Sequence, residues 1–270
     1  MSRVAVVTVV HGRHDHLALQ QASIDRSTRG PDEHVVIAMD DVELMRSGIA
    51  RADTGTTPHG LPLARARNLG ARHALDLRAD VLVFLDVDCL VAPGLVDAYI
   101  RAVTEEPGTV WSGPVTYLPP PPPAGYDLDT LVEHDDPHPA RPAPPVGARL
   151  RGADPDLFWS LSFACSASAW TRTGGFCEAY AGYGGEDTDF GRLIGSAGLD
   201  LGWAGSARAF HQWHPVSRPP VEHVADIVRN AELFGSRWGE VAMLGWLRAF
   251  EERGLAFVDT AGRWQVAGPS

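Results

Sequence analysis

An α/β fold with a mostly parallel central sheet is predicted by three features of this sequence. Apolar runs of strand length recur at Val4 to Val10, His34 to Met39 and Val81 to Leu85. Helical patterns separate them, and a strand-helix-strand-helix-strand order indicates parallel pairing through right-handed crossovers. The third run ends in Asp86-Val87-Asp88, at the strand end where open α/β sheets bind their ligands.

The elements follow in order. Val4 to Val10 is rich in valine and reads as a buried strand. His11-Gly12-Arg13 is a tight turn, and His16 to Arg26 reads as a helix with Asp15 as its N-cap. The second strand, His34 to Met39, ends in Asp40-Asp41. Gly55 to Gly60 is a loop. Leu61 to Leu77 has helical spacing, with Arg65, Asn68 and Arg72 on one polar face. A helix begins after Pro93, and a strand lies near Thr109 to Thr116. Pro119 to Pro123 then opens a proline-rich stretch with little chance of regular structure, of the kind that forms a functional lid or stays disordered. Glu186 to Ser196 reads as a helix with Glu186, Asp187 and Asp189 in its first turn. Leu199 to Phe210 holds one or two strands. Helical spacing runs from Val221 to Arg253 with a break near Gly235 to Gly239, and a hairpin turns at Asp259 to Gly262.

The composition narrows the function. A formal net charge of −11 opposes binding to nucleic acid, which rests on many cationic contacts. All 23 basic residues are arginine, so a lysine-bearing phosphate loop and a Schiff base are excluded. Cys89, Cys165 and Cys177 have no zinc spacing, in keeping with a reduced, cytoplasmic protein. No stretch reaches the ~20 apolar residues of a membrane span.

Asp-x-Asp spacing alone carries little. With 22 Asp, chance supplies roughly two such pairs, and the chain has four: Asp86/Asp88, Asp127/Asp129, Asp154/Asp156 and Asp187/Asp189. Only Asp86/Asp88 closes a hydrophobic strand. Two carboxylates there call for a divalent metal, Mn²⁺ or Mg²⁺, and the metal in turn for a phosphorylated substrate.

Context adds specificity. Ala66-Arg67-Asn68-Leu69-Gly70 opens a helix before Phe84-Leu85-Asp86-Val87-Asp88, and here the chain resembles family 2 glycosyltransferases of the GT-A fold. Gly174-Gly175-Phe176, Gly182-Tyr183-Gly184-Gly185-Glu186-Asp187 and Arg192-Leu193 resemble the C-terminal half of β-galactosyltransferases and polypeptide N-acetylgalactosaminyltransferases. The likeness covers roughly residues 4–215, and the Gly-Gly-Glu-Asp block after Asp-x-Asp is far more specific than either motif alone.

That resemblance implies a GT-A, Rossmann-like sheet with a C-terminal helical appendage and hairpin. It implies an inverting transfer of a sugar from a nucleotide-diphosphate donor, a UDP-sugar in preference, to an acceptor hydroxyl. Asp88 is then the direct metal ligand with Asp86 beside it toward the ribose. A later histidine completes the metal site, either His211 or His214, with His214 favoured. Asp40 matches a residue that bonds the base. Arg67 and Asn68 match residues near the nucleotide and diphosphate, and the turn at Val10 and His11 is expected to touch base or ribose. Asp187 matches the general base, and Glu186 the residue that holds the acceptor. The expected division is 1–117 for the donor, 118–150 as a proline-rich loop, 151–220 for acceptor and catalysis, and 221–270 for the appendage, all in one globular unit.

Other readings are weaker. Helix-start carboxylates complement the helix dipole without catalysis. His11, His14 and His16 offer a zinc group with no cysteine nearby. Retention with GDP-mannose, or sugar binding without catalysis, would use the same scaffold. A phosphatase of the haloacid dehalogenase type would share Phe84 to Asp88, but its nucleophile lies on the first strand and it requires a lysine.

Overall fold

The computed structural model describes residues 2–268. β1 (Val4–Val10) is buried along its length. Ala5, Val7 and Val9 join one apolar cluster, and Val4 and Val6 another, because successive strand side chains point to opposite faces. α1 (His14–Asp25), β2 (Glu33–Ala38), the short α2 (Val42–Arg46), β3 (Ala52–Asp53), α3 (Leu63–Asp76) and β4 (Val81–Leu85) follow. Both β2 and β4 pair with β1 in parallel, as the strand-helix alternation predicts.

The chain continues through β5 (Cys89–Val91), α4 (Leu95–Glu105), β6 (Thr109–Ser112), β7 (Val115–Tyr117), β8 (Arg149–Arg151), β9 (Ser162–Ser166), α5 (Ala167–Thr173) and α6 (Glu186–Ser196). It ends with β10 (Asp200–Ala204), β11 (Ala209–His211), α7 (Val224–Trp238), α8 (Leu244–Glu252) and the hairpin of β12 (Ala256–Val258) and β13 (Trp264–Val266). The main sheet has eight strands in the order β3-β2-β1-β4-β9-β6-β10-β8. Within it, β9 and the edge strand β8 are antiparallel to their neighbours, and the rest share one direction. Helices α3, α5 and α6 cover one face, and α1 and α4 cover the other. The appendage has its own core of Ile227, Val228, Leu247, Phe250 and Trp264.

Helix α3 shows why its sequence is built as it is. Ala64, Ala66, Ala71 and Ala74 face inward and let the helix lie close on the sheet. At Gly70 a Cβ would stand 2.3 Å from Val7 Cγ1, so only glycine fits. This inward face also carries Arg67 and Asn68, both buried, while Arg65 and Arg72 are exposed. The expected polar face of Arg65, Asn68 and Arg72 is therefore corrected: Asn68 belongs to the buried side, where its amide groups find backbone partners.

Three further expectations change. Helix α1 is preceded by Arg13 in the left-handed conformation (φ 51°), with Asp15 inside its first turn and not at the N-cap. The strand predicted near Thr109 to Thr116 divides at Gly113-Pro114 into β6 and β7, which join different sheets. Finally, the proline-rich stretch packs against the body. Leu131 and Arg141 are buried, His138 N–H donates to Val115 O at 2.9 Å, and β8 at its end pairs with β10.

A second sheet, of order β5-β11-β7, positions the site. Its register sets His211 opposite Cys89 on one side and Tyr117 on the other. Gln212 N–H then donates to Asp88 O at 2.7 Å. A histidine more than a hundred residues downstream is thereby fixed beside the end of β4. Among the described residues no helix is long and apolar enough to cross a membrane.

Candidate active site

The first group of site residues surrounds Asp88. Its Oδ2 lies 3.6 Å from His214 Nε2 and 3.8 Å from His211 Nε2. One ligand atom from each of Asp88, His211 and His214 falls within 4.8 Å of the others, and no other such group occurs among the described residues. His16 Nε2 stands 4.0 Å from Oδ1, and the Arg13 guanidinium donates to Oδ2. Burial holds the His211 pKa below its ordinary value, with Asp88 working against that and His214 reinforcing it. Neutral imidazole is the form that ligates a metal. Asp88 Oδ1 is buried without a hydrogen-bond partner. Oδ2 beside two imidazole nitrogens, on a carboxylate whose other oxygen has no hydrogen bond, fits a divalent ion of the Mn²⁺ type. Asp86, expected as a further ligand, lies outside this cluster. Its Oδ1 accepts from Arg67 Nη2 at 3.0 Å instead.

The second group starts α6. Gly185 has φ 91°, and a Cβ there would stand 3.0 Å from the Tyr180 ring. Asn230 of α7 donates to the carbonyls of Ala181, Tyr183 and Gly184, which fixes the glycine loop. Ser160 N–H donates to Asp187 Oδ2 at 3.1 Å, and Asp187 Oδ1 has no hydrogen-bond partner. Burial raises the Glu186 pKa to about 7, with help from Asp187 and against the pull of Arg67. Asp187 is also raised, again by burial first, opposed by Arg67 and reinforced by Asp86. Both carboxyls are thus shifted toward holding a proton. Asp189, two residues on, is different in kind. It is fully buried and accepts from Trp238 Nε1 at 2.8 Å and from Arg237, so it anchors the appendage.

Arg67 joins the two groups. It is buried and reaches Asp86 at 3.0 Å, Glu186 at 3.4 Å and Asp187 at 3.7 Å. Burial works against its charge, but the three carboxylates outweigh that and raise its pKa. On another side the groups are linked by rings. His211 stacks on Tyr117 at 4.6 Å, Tyr117 meets His138 at 5.3 Å, and His138 meets Trp159 at 5.3 Å. Trp159 immediately precedes Ser160, the donor to Asp187. Arg141, from the proline-rich stretch, lies over the Trp159 and Trp203 rings and donates to Gly113 O at 2.9 Å.

The other expected residues lie as follows. Asp40 is exposed at the end of β2 in the left-handed conformation (φ 59°), and its N–H donates to Asp53 Oδ1 at 2.8 Å. His11 is exposed, with Nδ1 2.6 Å from Met39 O. Val10, expected at the base or ribose, is fully buried, and its carbonyl accepts from Met39 N–H at 2.8 Å, so it presents no exposed group to a ligand. Asn68, expected near the diphosphate, donates to Phe176 O and Glu178 Oε1 and accepts from Phe176 N–H. Its role here is to hold the Gly174-Gly175-Phe176 turn. His14 pairs with Asp41 at 2.8 Å, so the three early histidines do not converge on a zinc site. Sequence reasoning missed Arg13, Ser160 and Glu178, and it named His16 only as part of the zinc group. For Arg13, the one available signal was a cation in the turn that follows β1.

Comparisons with known proteins bear on the fold. Residues 154–226 match the family described as the N-terminal domain of galactosyltransferase. The validoxylamine A glucosyltransferase of Streptomyces hygroscopicus subsp. limoneus is 27% identical over 267 residues, covering 86% of this chain and 56% of that protein. Its counterpart from S. hygroscopicus subsp. jinggangensis strain 5008 is 29% identical over 202 residues, covering 65% of this chain and 44% of that one. The chain thus spans about half the length of these relatives. Among solved structures, GalNAc-T7 with UDP, GalNAc and Mn²⁺ superposes with a TM-score of 0.57 at 16% identity, over 86% of this chain and 48% of the other. TarS of S. aureus, residues 1–349, gives 0.54 at 11% identity, over 85% of this chain and 64% of the other. The fold is GT-A, and the resemblance read from the sequence motifs is borne out.

Proposed function

We propose that this GT-A chain is a metal-dependent glycosyltransferase that moves a sugar from a UDP-sugar to an acceptor hydroxyl with inversion. One observation carries the reading. Two carboxylates, Asp88 and Asp187, each keep a buried oxygen without a hydrogen-bond partner, and Arg67 ties their neighbourhoods together through Asp86. A buried unpaired polar atom is costly unless a ligand completes it. The matched domain in galactosyltransferases and a neighbour solved with UDP and Mn²⁺ support the same reading.

Asp88, His211 and His214 would hold the metal, which when bound stabilises charge on the departing diphosphate. Asp40 and His11, both exposed past the ends of β2 and β1, would meet the base and ribose. Ser160 fixes Asp187 through Oδ2 and leaves Oδ1 without a hydrogen bond, 3.7 Å from the Arg67 guanidinium. That oxygen takes the acceptor hydroxyl proton as the acceptor oxygen attacks the anomeric carbon. The bond from that carbon to the diphosphate oxygen breaks, and its electron pair leaves with UDP. Glu186 accepts from an acceptor hydroxyl, and buried Arg67 keeps the carboxylates apart in one geometry. The three cysteines are unpaired, in keeping with a reducing cytoplasmic setting.

The test is release of UDP from a panel of UDP-sugars with Mn²⁺. Turnover that EDTA abolishes, and that Asp88→Ala lacks, is the expected result. Turnover indifferent to EDTA or to Asp88→Ala contradicts metal dependence.

A further inference from the structure

We infer that Arg13 is a resident counter-ion of Asp88 which a divalent cation must displace, and that the freed guanidinium then serves the donor's diphosphate. The inference rests on the metal-dependent reading above.

The Arg13 guanidinium donates to Asp88 Oδ2, and among the described residues it has no other side-chain partner. Oδ2 is also the oxygen that lies 3.6 Å from His214 and 3.8 Å from His211. An ion held between this oxygen and the two imidazoles would therefore compete with the guanidinium for one acceptor. Two positive charges at a single oxygen repel, and the divalent one binds a hard carboxylate oxygen more strongly.

The two site arginines differ in the way this hand-over needs. Arg67 is 5% exposed and meets three carboxylates, so it is a fixed cation. The Arg13 side chain is 38% exposed and meets one. Its backbone is nonetheless fixed, because Gly12 N–H donates to Asp41 Oδ2 at 2.9 Å and Arg13 itself starts α1 in the left-handed conformation. A long side chain on an anchored backbone can swing without refolding. It does so at the end of β1, on the sheet edge where ligands bind. The guanidinium fork matches phosphate oxygens as well as carboxylate. The chain has net charge −11 and no lysine, so an anionic donor needs the cations it meets here.

Mn²⁺ binding followed by electron paramagnetic resonance, without nucleotide, tests the competition. Arg13→Gln is expected to bind Mn²⁺ about five- to tenfold tighter than wild type, as loss of a competing charged hydrogen bond requires. Calorimetry in saturating Mn²⁺ is expected to show UDP bound about tenfold more weakly by Arg13→Gln, with Arg13→Lys between the two. Arg13→Lys keeps a cation on the same backbone, so it guards against a folding artefact. Equal or weaker Mn²⁺ binding in Arg13→Gln overturns this inference while leaving the metal site intact. Unchanged UDP affinity overturns the hand-over to the diphosphate. Absence of Mn²⁺ binding in wild type and both variants overturns the metal reading itself, and this inference with it.

Discussion

Asp88 and Asp187 are both buried or half-buried acids at one sheet edge, but their surroundings are opposite. Asp88 is ringed by basic groups: Arg13, His16, His211 and His214. Asp187 shares a single guanidinium with Glu186 and Asp86. One end is thus arranged around a carboxylate set among basic side chains, a donor set that fits a metal. At the other end, acids crowd one another and burial drives them toward the protonated form. Under the proposed function the difference divides the tasks: one carboxylate would hold the metal, and the other would move a proton.

The largest expected effect breaks the proton-moving end alone. Asp187→Asn removes the base but keeps the oxygen that accepts from Ser160. Its kcat is expected to fall about 10²–10⁴-fold, while UDP binding with Mn²⁺ stays near wild type by calorimetry. Equal loss of binding and turnover would erase the distinction between the two ends.

A second change probes the cation between them. Arg67→Met leaves three carboxylates in a buried space without their counter-charge. Urea unfolding is expected to show a loss of about 3–5 kcal/mol, the usual cost of removing one partner of a buried ion group. Arg13→Gln, at the half-exposed pair, is expected to cost under about 1 kcal/mol. Similar losses for the two would mean that Arg67 is not the fixed cation described above.

A third effect concerns pH. The folded Glu186 carboxyl titrates at about 7, above the ordinary 4.5 of an unfolded glutamate. Between those values the folded state holds more protons than the unfolded one, so this group's contribution to stability is fully present below 4.5 and lost as pH rises through 7. Glu186→Gln lacks that loss. Its unfolding free energy is therefore expected to gain on wild type by up to about 2–3 kcal/mol between acid and neutral pH. Parallel stability curves for the two proteins would refute the shift.

How much of this was legible in the sequence follows the same division. Strands β1, β2 and β4 were plain because they are continuous apolar runs, and the Asp-x-Asp end came with them. The Gly-Gly-Glu-Asp start of α6 was legible because its glycines leave a local signature. Residues brought in by tertiary pairing were less visible. His211 and His214 could be proposed only from a resemblance, because the register of β11 on β5 and β7 sets their place. Arg67 and Asn68 look in sequence like any helix polar residues, and only the small inward face of α3 shows that both are buried. Arg13 was hidden for another reason. A side chain in a turn has no periodicity, and its partner lies 75 residues away. The proline-rich stretch gave no reading beyond a loop, because its order comes from Leu131, Arg141 and β8 packing on distant elements.

The central claim is that one displacement joins the two ends, with Asp187 taking the hydroxyl proton as the diphosphate leaves from the metal end. Its most direct test is the anomeric configuration of the product, read by NMR from the UDP-sugar the protein turns over. Inversion relative to the donor is the predicted result. Retention would contradict the account, because a single displacement with Asp187 as base cannot produce it.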